Sequence, residues 1–306
     1  MKEGVIFVEK AFWEKLDSVR QRYAISDKLI HSQSDIYTDF NKEEVSCDTF
    51  LGSIHEETGG KLYWDKNVKD YIESEDVAYL ASIYLTGMDS MLCDGKSIQR
   101  GILVFNQSKF SDDNKVFSTP EPIPIDEDNR YKFGWKNELF GPVLLNNKCN
   151  SIIINDKYLC NKGYMNPDLK DLLDVILPQS IRIPFHLSIF SEVNSNGEAI
   201  YNEIKTAISS IRPSGFCDNL SFTLYYSTLH DRFIISNNYC ITVGAGFALF
   251  NGKSKPQNST SLKIFFPTAV GRKREYYLWI KKTKEINDRP YNFWGEDKVN
   301  RLFDLV

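Results

Sequence analysis

Strand-type and helix-type segments alternate between Ser151 and Val243, and this order constrains the fold more than any other feature of the chain. Short runs rich in β-branched and aromatic residues indicate strands, and apolar residues recurring every three or four positions indicate helices. The strand-type segments are residues 151–154, 185–189, 220–228, 232–236 and 239–243, and the helix-type segments are residues 167–176 and 200–211. The resulting order β-α-β-α-β-β-β predicts an α/β layered sheet.

Local signals fix two boundaries within this pattern. Asn166, Pro167 and Asp168 supply an N-cap, a proline at the first helical position and an acidic residue in the first turn. Asn237-Asn238 separates the last two strand-type runs and is a suitable pair for a tight hairpin turn. We therefore expect a mixed sheet flanked by helices in the C-terminal part of the chain.

The first half has a less regular pattern. Residues 4–8 predict a buried strand, and Phe12, Leu16, Val19 and Tyr23 have helical spacing. Residues 77–85 predict a buried helix because of their length and alanine content, and residues 102–105 predict a strand. We place the domain boundary at a polar turn between Phe140 and Cys149. This gives an N-terminal α/β domain of unknown role over residues 1–145 and a second domain over residues 146–306.

Charge is distributed unevenly between the two halves. Residues 1–149 contain 18 Lys and Arg against 26 Asp and Glu, whereas residues 150–306 contain 19 against 15. An acidic half joined to a basic half predicts different partners for the two. We expect a phosphate-bearing ligand to bind the basic half and a partner protein to bind the acidic half.

Composition excludes several classes of protein. No stretch approaches the roughly 20 apolar residues of a membrane span, and the first residues lack a cleavage-site pattern. The six cysteines are scattered and form no C-x-x-C pair, and the chain has only four histidines. Few residues could therefore bind a zinc ion. We expect reduced thiols, a cytoplasmic protein and neither a metal ion nor another cofactor.

His230 and Arg232 are the residues best suited to phosphate chemistry. They stand two apart at the start of a strand-type run, which would place both side chains on one face. An imidazole can attack phosphorus or transfer a proton near neutral pH, and a guanidinium can bind phosphoryl oxygens. Gly244, Ala245 and Gly246 follow across the hairpin, where small residues allow a phosphate to approach the backbone. The alternative is a strand histidine and an arginine paired with a nearby acid.

The spacing of these residues resembles the signature of the phospholipase D superfamily. That signature is His-x-Lys, four residues, Asp, six residues and Gly-Ser, and here the matching residues are His230, Arg232, Asn237, Gly244 and Ala245. The resemblance implies that His230 is the nucleophile or acid, that Arg232 binds phosphate with Gly244, Ala245 and Gly246 beside it, and that Asn237 belongs to the catalytic set. Arg for Lys keeps the charge, whereas Asn for Asp removes a carboxylate and Ala for Ser removes a hydroxyl.

A longer segment resembles the phospholipase D-like C-terminal domain of MIT-domain proteins that act with ESCRT-III. The shared features are an Asp-x-Tyr after the first strand, here Asp156 to Tyr158, then Ser-Thr-Leu-His-Asp-Arg at 227–232, and Gly-x-Gly at 244–246. The resemblance implies supporting roles for Asp156, Tyr158 and Asp231. It also implies binding to acidic, phosphate-bearing surfaces, so membrane association is a further, weaker expectation.

These observations leave two functions open. The first is a phosphodiesterase of the phospholipase D type, a nuclease in particular, with a possible bacterial defence role. Because this chemistry uses two histidines and the chain has one suitable His-x-Arg, the enzyme would need a homodimer to complete its site. The second is a module that binds a phosphate of nucleic acid or anionic lipid without cleaving it.

Basic clusters at 272–274 and 281–284 flank the aromatic run 276–280. This pattern predicts either a phosphate-binding surface or an edge strand with solvated ends.

Overall fold

The structure is a computed structural model, and it describes sixteen segments of the 306-residue chain. They are residues 5–16, 18–32, 34–40, 50–59, 61–65, 83–87, 102–107, 122–125, 134–136, 149–181, 184–193, 196–250, 259–267, 272–289, 293–295 and 299–306. The chain divides into two compact units. The first is Met1–Pro120 with Phe265–Glu275 and Leu305, and the second is Glu121–Ile264 with Tyr276–Asp304 and Val306.

A parallel five-stranded sheet forms the centre of the first unit, in the order β3-β2-β1-β4-β5. Its strands are β1 Val5–Val8, β2 Asp35–Thr38, β3 Leu62–Trp64, β4 Ile83–Leu85 and β5 Leu103–Phe105. The described helices of this region are α1 Lys10–Glu14, α2 Val19–His31 and α3 Phe50–Glu57. All four residues of β1 are buried, as expected for a central strand of a parallel sheet.

Two predictions for the first half are wrong. Phe12 and Leu16 are buried, but Val19 and Tyr23 are 66% and 64% exposed. Helix α1 ends at Glu14, and Ser18 caps a separate helix, α2, by accepting a hydrogen bond from Gln21 N, so the four residues do not share one helix face. The predicted helix over 77–85 is a strand at Ile83–Leu85, while residues 77–82 lie outside the described part of the chain. A short apolar run has no periodicity that separates a buried strand from a buried helix. The strands predicted at 4–8 and 102–105 are confirmed as β1 and β5.

An eight-stranded mixed sheet forms the centre of the second unit, in the order β13-β9-β8-β7-β10-β11-β12-β6. Strands β7, β8 and β9 run parallel, whereas β10 is antiparallel to both β7 and β11. The strands are β6 Ile123–Ile125, β7 Ser151–Asn155, β8 Phe185–Ser191, β9 Leu220–Tyr226, β10 Phe233–Ser236, β11 Cys240–Val243, β12 Thr260–Phe265 and β13 Phe293–Gly295. The helices are α4 Pro167–Ile176, α5 Gly197–Ile211 and α6 Lys273–Asn287.

The α/β class with a mixed C-terminal sheet flanked by helices is confirmed, as is the order β-α-β-α-β-β-β from β7 to β11. Asn166 caps α4 by accepting a hydrogen bond from Asp168 N at 2.9 Å, with Pro167 at the first helical position. The predicted domain boundary, at residues 145 and 146, falls within residues 137–148, which lie outside the described part of the chain, and it stays a prediction. Strand β6 precedes that boundary and is a member of the second sheet.

The aromatic run 276–280 is helical, so the edge-strand interpretation of this segment is wrong. Tyr276, Trp279 and Ile280 are buried at helical spacing, while Leu278 is exposed. Tyr276 donates a hydrogen bond to Ser236 O, and the Trp279 ring stacks on Phe233 at a centroid distance of 5.1 Å. Helix α6 therefore packs directly on strand β10.

The described cysteines are free thiols. Cys149, Cys160 and Cys240 are buried and Cys217 is half-buried, while Cys47 and Cys93 lie outside the described residues. Burial raises the pKa of the Cys149 and Cys160 thiols to about 12, so both are protonated at neutral pH. Within the described residues, no helix has the length and apolar character needed to cross a bilayer.

Candidate functional site

His230 and Arg232 lie in the connection between β9 and β10, which we call the crossing segment, residues 227–232. In the sheet order, β8 and β7 lie between β9 and β10, so the crossing segment passes over the carboxyl ends of β8 and β7. The prediction that both residues lie on a strand is wrong. Strand alternation consequently does not determine which way their side chains point.

Asn155, the last residue of β7, holds the crossing segment in place. Its side-chain nitrogen donates hydrogen bonds to the carbonyl oxygens of Leu229, at 3.4 Å, and Asp231. Its side-chain oxygen accepts a hydrogen bond from the Ser227 hydroxyl at 3.3 Å. Asn155 is fully buried, so these polar groups satisfy one another away from water. Ser227 N also donates to Ser191 O at 2.8 Å, which fixes the start of the segment on β8.

Arg232 is bound within a cluster at the ends of β7 and β11. Its guanidinium donates a hydrogen bond through Nη1 to Gly244 O and lies 5.2 Å from the centroid of the Tyr158 ring. Its Nε–H is buried and has no hydrogen-bond partner among the described residues. The arginine therefore ties the turn after β11 to the segment after β7.

Asp156 supplies the negative charge of this cluster. It is fully buried and accepts hydrogen bonds from Tyr158 N at 2.9 Å and Phe247 N at 2.6 Å. Burial raises the pKa of the carboxyl group, and the two backbone donors and the positive charge of Arg232 oppose this rise. Asp156 thus connects three separate parts of the chain.

Gly246 lies where the backbone comes closest to the Asp156 and Arg232 side chains. Its φ is +91°, and a Cβ at this position would lie 2.7 Å from Asp156 Oδ2 and 3.0 Å from Arg232 Cδ. Both the backbone conformation and the close approach favour glycine. Gly244 is exposed, and a Cβ there would lie 3.2 Å from the Thr260 hydroxyl, which also accepts a hydrogen bond from Ala245 N.

His230 is exposed and lines a pocket of about 520 Å³. One wall of the pocket is Tyr226 with residues 227–231, and the other is the face of α6 and its C-terminal end that carries Lys282, Glu285, Ile286 and Arg289. Arg232 is not among the lining residues. The pocket therefore combines the imidazole with two basic side chains that come from a distant part of the sequence.

Lys282 and Asp231 form an ion pair across this pocket, with Lys282 Nζ 2.7 Å from Asp231 Oδ2. Both side chains are partly exposed, so the pair contributes little to stability and mainly orients the lysine. Among the described residues, Glu285 and Arg289 have no ion pair within 4 Å, so their charged groups can meet a ligand.

Both ends of α6 are anchored to the sheet, which positions the pocket wall. Tyr276 near its start donates to Ser236 O, and Asn287 at its end accepts a hydrogen bond from the Tyr225 hydroxyl at 2.6 Å. Tyr225 is itself buried and stacked on Phe190 at 4.4 Å. These contacts hold α6 against the sheet, where Lys282 reaches Asp231 of the crossing segment.

The structure brings together five of the residues that the sequence singles out, namely Asp156, Tyr158, Arg232, Gly244 and Gly246. His230 and Asp231 lie together in the neighbouring pocket, and Ala245 is exposed beside Gly244.

Asn237 lies at the opposite end of β10 from Arg232, and its predicted place in the catalytic set stays a prediction. It is buried in the hairpin turn, and its side-chain oxygen accepts hydrogen bonds from Asn150 N and Ser151 N, both at 3.0 Å. At about 3.3 Å per strand residue, it lies roughly 16 Å along the chain from Arg232. Asn237 therefore secures the start of β7.

Sequence reasoning missed Asn155, Glu285 and Arg289. Asn155 has a recognisable signal, since it adjoins the Asp-x-Tyr segment and ends an apolar run, where a buried carboxamide needs partners. Glu285 and Arg289 become visible only once residues 273–287 are known to be a helix, because positions 282, 285, 286 and 289 then share one face. Within the described residues, no group of three or more His, Cys, Asp or Glu is placed to hold a metal ion.

Comparison with protein families agrees with this architecture. Residues 135–265 match the family model described as the phospholipase D-like domain at the C-terminus of MIT. The match covers less than half of the chain, and this part, which contains the crossing segment and the Arg232 cluster, is similar to phospholipase D-like domains. No curated protein matches the chain.

We expect Gly246→Ala to destabilise the protein more than Gly163→Ala. Both glycines have positive φ, at +91° and +81°, so both substitutions carry a backbone penalty of about 1–2 kcal/mol. A Cβ at Gly163 meets nothing within 4 Å, whereas one at Gly246 meets Asp156 and Arg232. Urea unfolding measures the difference, and equal losses would show that the cluster tolerates the extra atom.

We expect Asn155→Ala to lower the free energy of unfolding by about 1–3 kcal/mol, because it leaves the carbonyls of Leu229 and Asp231 without their donor. Amide hydrogen exchange in the crossing segment should accelerate at the same time. Asn202→Ala is the control, since Asn202 is exposed on α5. Unchanged exchange in residues 227–232 would contradict the role assigned to Asn155.

Proposed function

We propose that the phospholipase D-like domain binds a phosphate group of a phosphodiester ligand in the His230 pocket and does not cleave it. The observation that supports this is the joint placement of His230, Lys282 and Arg289 around one cavity of about 520 Å³. Ammonium and guanidinium groups form short, charge-assisted hydrogen bonds with phosphate oxygens. A partly enclosed site strengthens such bonds relative to open solvent.

Lys282 can bind a phosphate without releasing Asp231. An ammonium group has three donors, and one of them is directed at Asp231 Oδ2 at 2.7 Å. Asp231 therefore orients the lysine at the edge of the pocket. The remaining donors, together with the Arg289 guanidinium, are available for phosphate oxygens.

Three features support binding rather than cleavage. The Arg232 guanidinium donates to Gly244 O, lies against the Tyr158 ring and is not part of the pocket lining. Asn237 lies at the far end of β10. In the full sequence, His230 is the single histidine followed two residues later by Lys or Arg, so one copy of the chain supplies one such imidazole where phospholipase D chemistry uses two.

We expect Lys282→Ala to weaken phosphate binding about tenfold, which corresponds to the loss of one charge-assisted hydrogen bond. The measurement is an NMR titration of the His230 ring signals, with inorganic phosphate and a short single-stranded oligonucleotide as ligands. Lys281→Ala is the matched control, because Lys281 is the neighbouring exposed lysine of α6 and does not line the pocket. Equal weakening by both variants, or His230 signals that respond to neither ligand, would contradict the proposal.

A phosphodiesterase assembled as a two-fold dimer is the second candidate function. The exposure of His230 supports it, because an exposed imidazole near a symmetry axis can meet its own copy. One histidine would then attack phosphorus and the other would protonate the leaving group. A nuclease is the form of this enzyme that the basic charge of residues 150–306 favours.

If the domain only binds phosphate, we expect no cleavage of single-stranded or double-stranded nucleic acid, or of a generic phosphodiester, in divalent-free buffer. The wild-type protein and His230→Ala should behave alike in this assay. Cleavage by wild type that disappears in His230→Ala would establish the second candidate instead. Sedimentation of the same samples would then show whether the active species is a dimer.

A further inference from the structure

Resting on the phosphate binding proposed above, we propose that the His230 pocket accepts a whole nucleotide unit and that Glu285 is the residue that selects it. The ligand would be a nucleoside monophosphate, either free or as part of a single strand. The phosphate would lie at Lys282 and Arg289, and the sugar and base would fill the rest of the cavity. A bare phosphate ion or a lipid headgroup would use only part of this site.

The size of the pocket supports a ligand larger than phosphate. Sites that enclose small organic ligands have volumes of about 300–1,000 Å³, and this pocket has about 520 Å³. Since one water takes about 30 Å³ of the liquid, a phosphate ion would leave most of the space unfilled. A nucleotide matches the available volume and carries its phosphate at one end.

Part of the lining is apolar. Tyr226, Leu229 and Ile286 contribute to the walls and are each half-buried. An aromatic ring and aliphatic side chains suit the flat faces of a nucleobase, and stacking of this kind tolerates any base. A phosphate ion alone would gain no binding energy from contact with these three apolar groups.

Glu285 supplies the selectivity. Its carboxylate lines the pocket on the same face of α6 as Lys282, and Arg289 follows one turn later. A second negative charge beside a phosphate site weakens binding of a small anion. The same carboxylate can accept hydrogen bonds from sugar hydroxyls, whereas a phospholipid acyl chain has no such donor.

The balance of charge also argues against a membrane surface as the ligand. Besides His230, the pocket lining has two basic side chains, Lys282 and Arg289, and two acidic ones, Asp231 and Glu285. Surfaces that bind anionic membranes have an excess of basic residues. Here basic and acidic side chains share one concave site, which suits a small ligand that carries both a phosphate and hydroxyl groups.

The test compares ligands that share a phosphate and differ in the rest. Adenosine and uridine monophosphates, inorganic phosphate, glycerol 3-phosphate, a short single-stranded oligonucleotide and phosphatidylserine vesicles are titrated into the full-length protein. We expect both nucleotides to bind about tenfold more tightly than inorganic phosphate or glycerol 3-phosphate. The oligonucleotide arm shows whether a nucleotide is also recognised within a strand.

Variants identify the responsible residues. We expect Glu285→Gln to strengthen inorganic phosphate binding about threefold and to weaken nucleotide binding about threefold, because it removes the repulsion and replaces one charged acceptor oxygen with an amide NH2 donor. Ile286→Ser should weaken nucleotide binding and leave phosphate binding unchanged. Asp288→Asn is the control for net charge, since Asp288 is exposed after the end of α6 and does not line the pocket.

The outcomes separate the two proposals. If neither phosphate nor any nucleotide perturbs His230, the phosphate-binding function itself is overturned. If all phosphate-bearing ligands bind equally, if vesicles bind best, or if Glu285→Gln strengthens phosphate and nucleotide alike, the nucleotide inference is overturned and phosphate binding stands. Opposite changes for the two ligands in Glu285→Gln, absent in Asp288→Asn, would support the inference.

Discussion

The buried carboxamide of Asn155 is the interaction on which the candidate site depends. The chain leaves β9 and reaches β10 by passing over the ends of β8 and β7, and the backbone of such a crossing cannot form sheet hydrogen bonds. Asn155 satisfies the carbonyls of Leu229 and Asp231 and accepts the Ser227 hydroxyl. These three hydrogen bonds keep the crossing segment close to the sheet, and so they determine where His230 can point.

The next residue along the chain, Asp156, organises a second set of contacts. It binds the backbone of Tyr158 and Phe247 and faces Arg232, so the Arg232 side chain serves the turn after β11. His230, two residues earlier, lines a pocket against α6. The two residues of the His-x-Arg pair therefore differ in their surroundings: the arginine contacts Gly244 and Tyr158, and the histidine lines the pocket.

Much of the second domain could be predicted from local chemistry, and less of the first. The N-cap at Asn166, the hairpin at Asn237-Asn238 and the alternation from β7 to β11 depend on neighbouring residues, and all were recovered. The helix predicted at residues 83–85 and the edge-strand alternative for residues 276–280 are wrong because short apolar runs suit either a strand or a helix. Of the site residues, His230 and Arg232 were visible from their spacing, whereas Glu285 and Arg289 were not.

The sequence by itself determined the α/β class, the order of elements from β7 to β11 and the glycine turn at 244–246, because propensity, capping and turn chemistry act over a few residues. Only the tertiary structure decided that His230 faces Lys282 and Arg289 while Arg232 faces Asp156 and Tyr158. Each of those neighbours lies more than fifty residues away in the sequence. Side-chain directions there follow from long-range packing and hydrogen bonds, which no local pattern encodes.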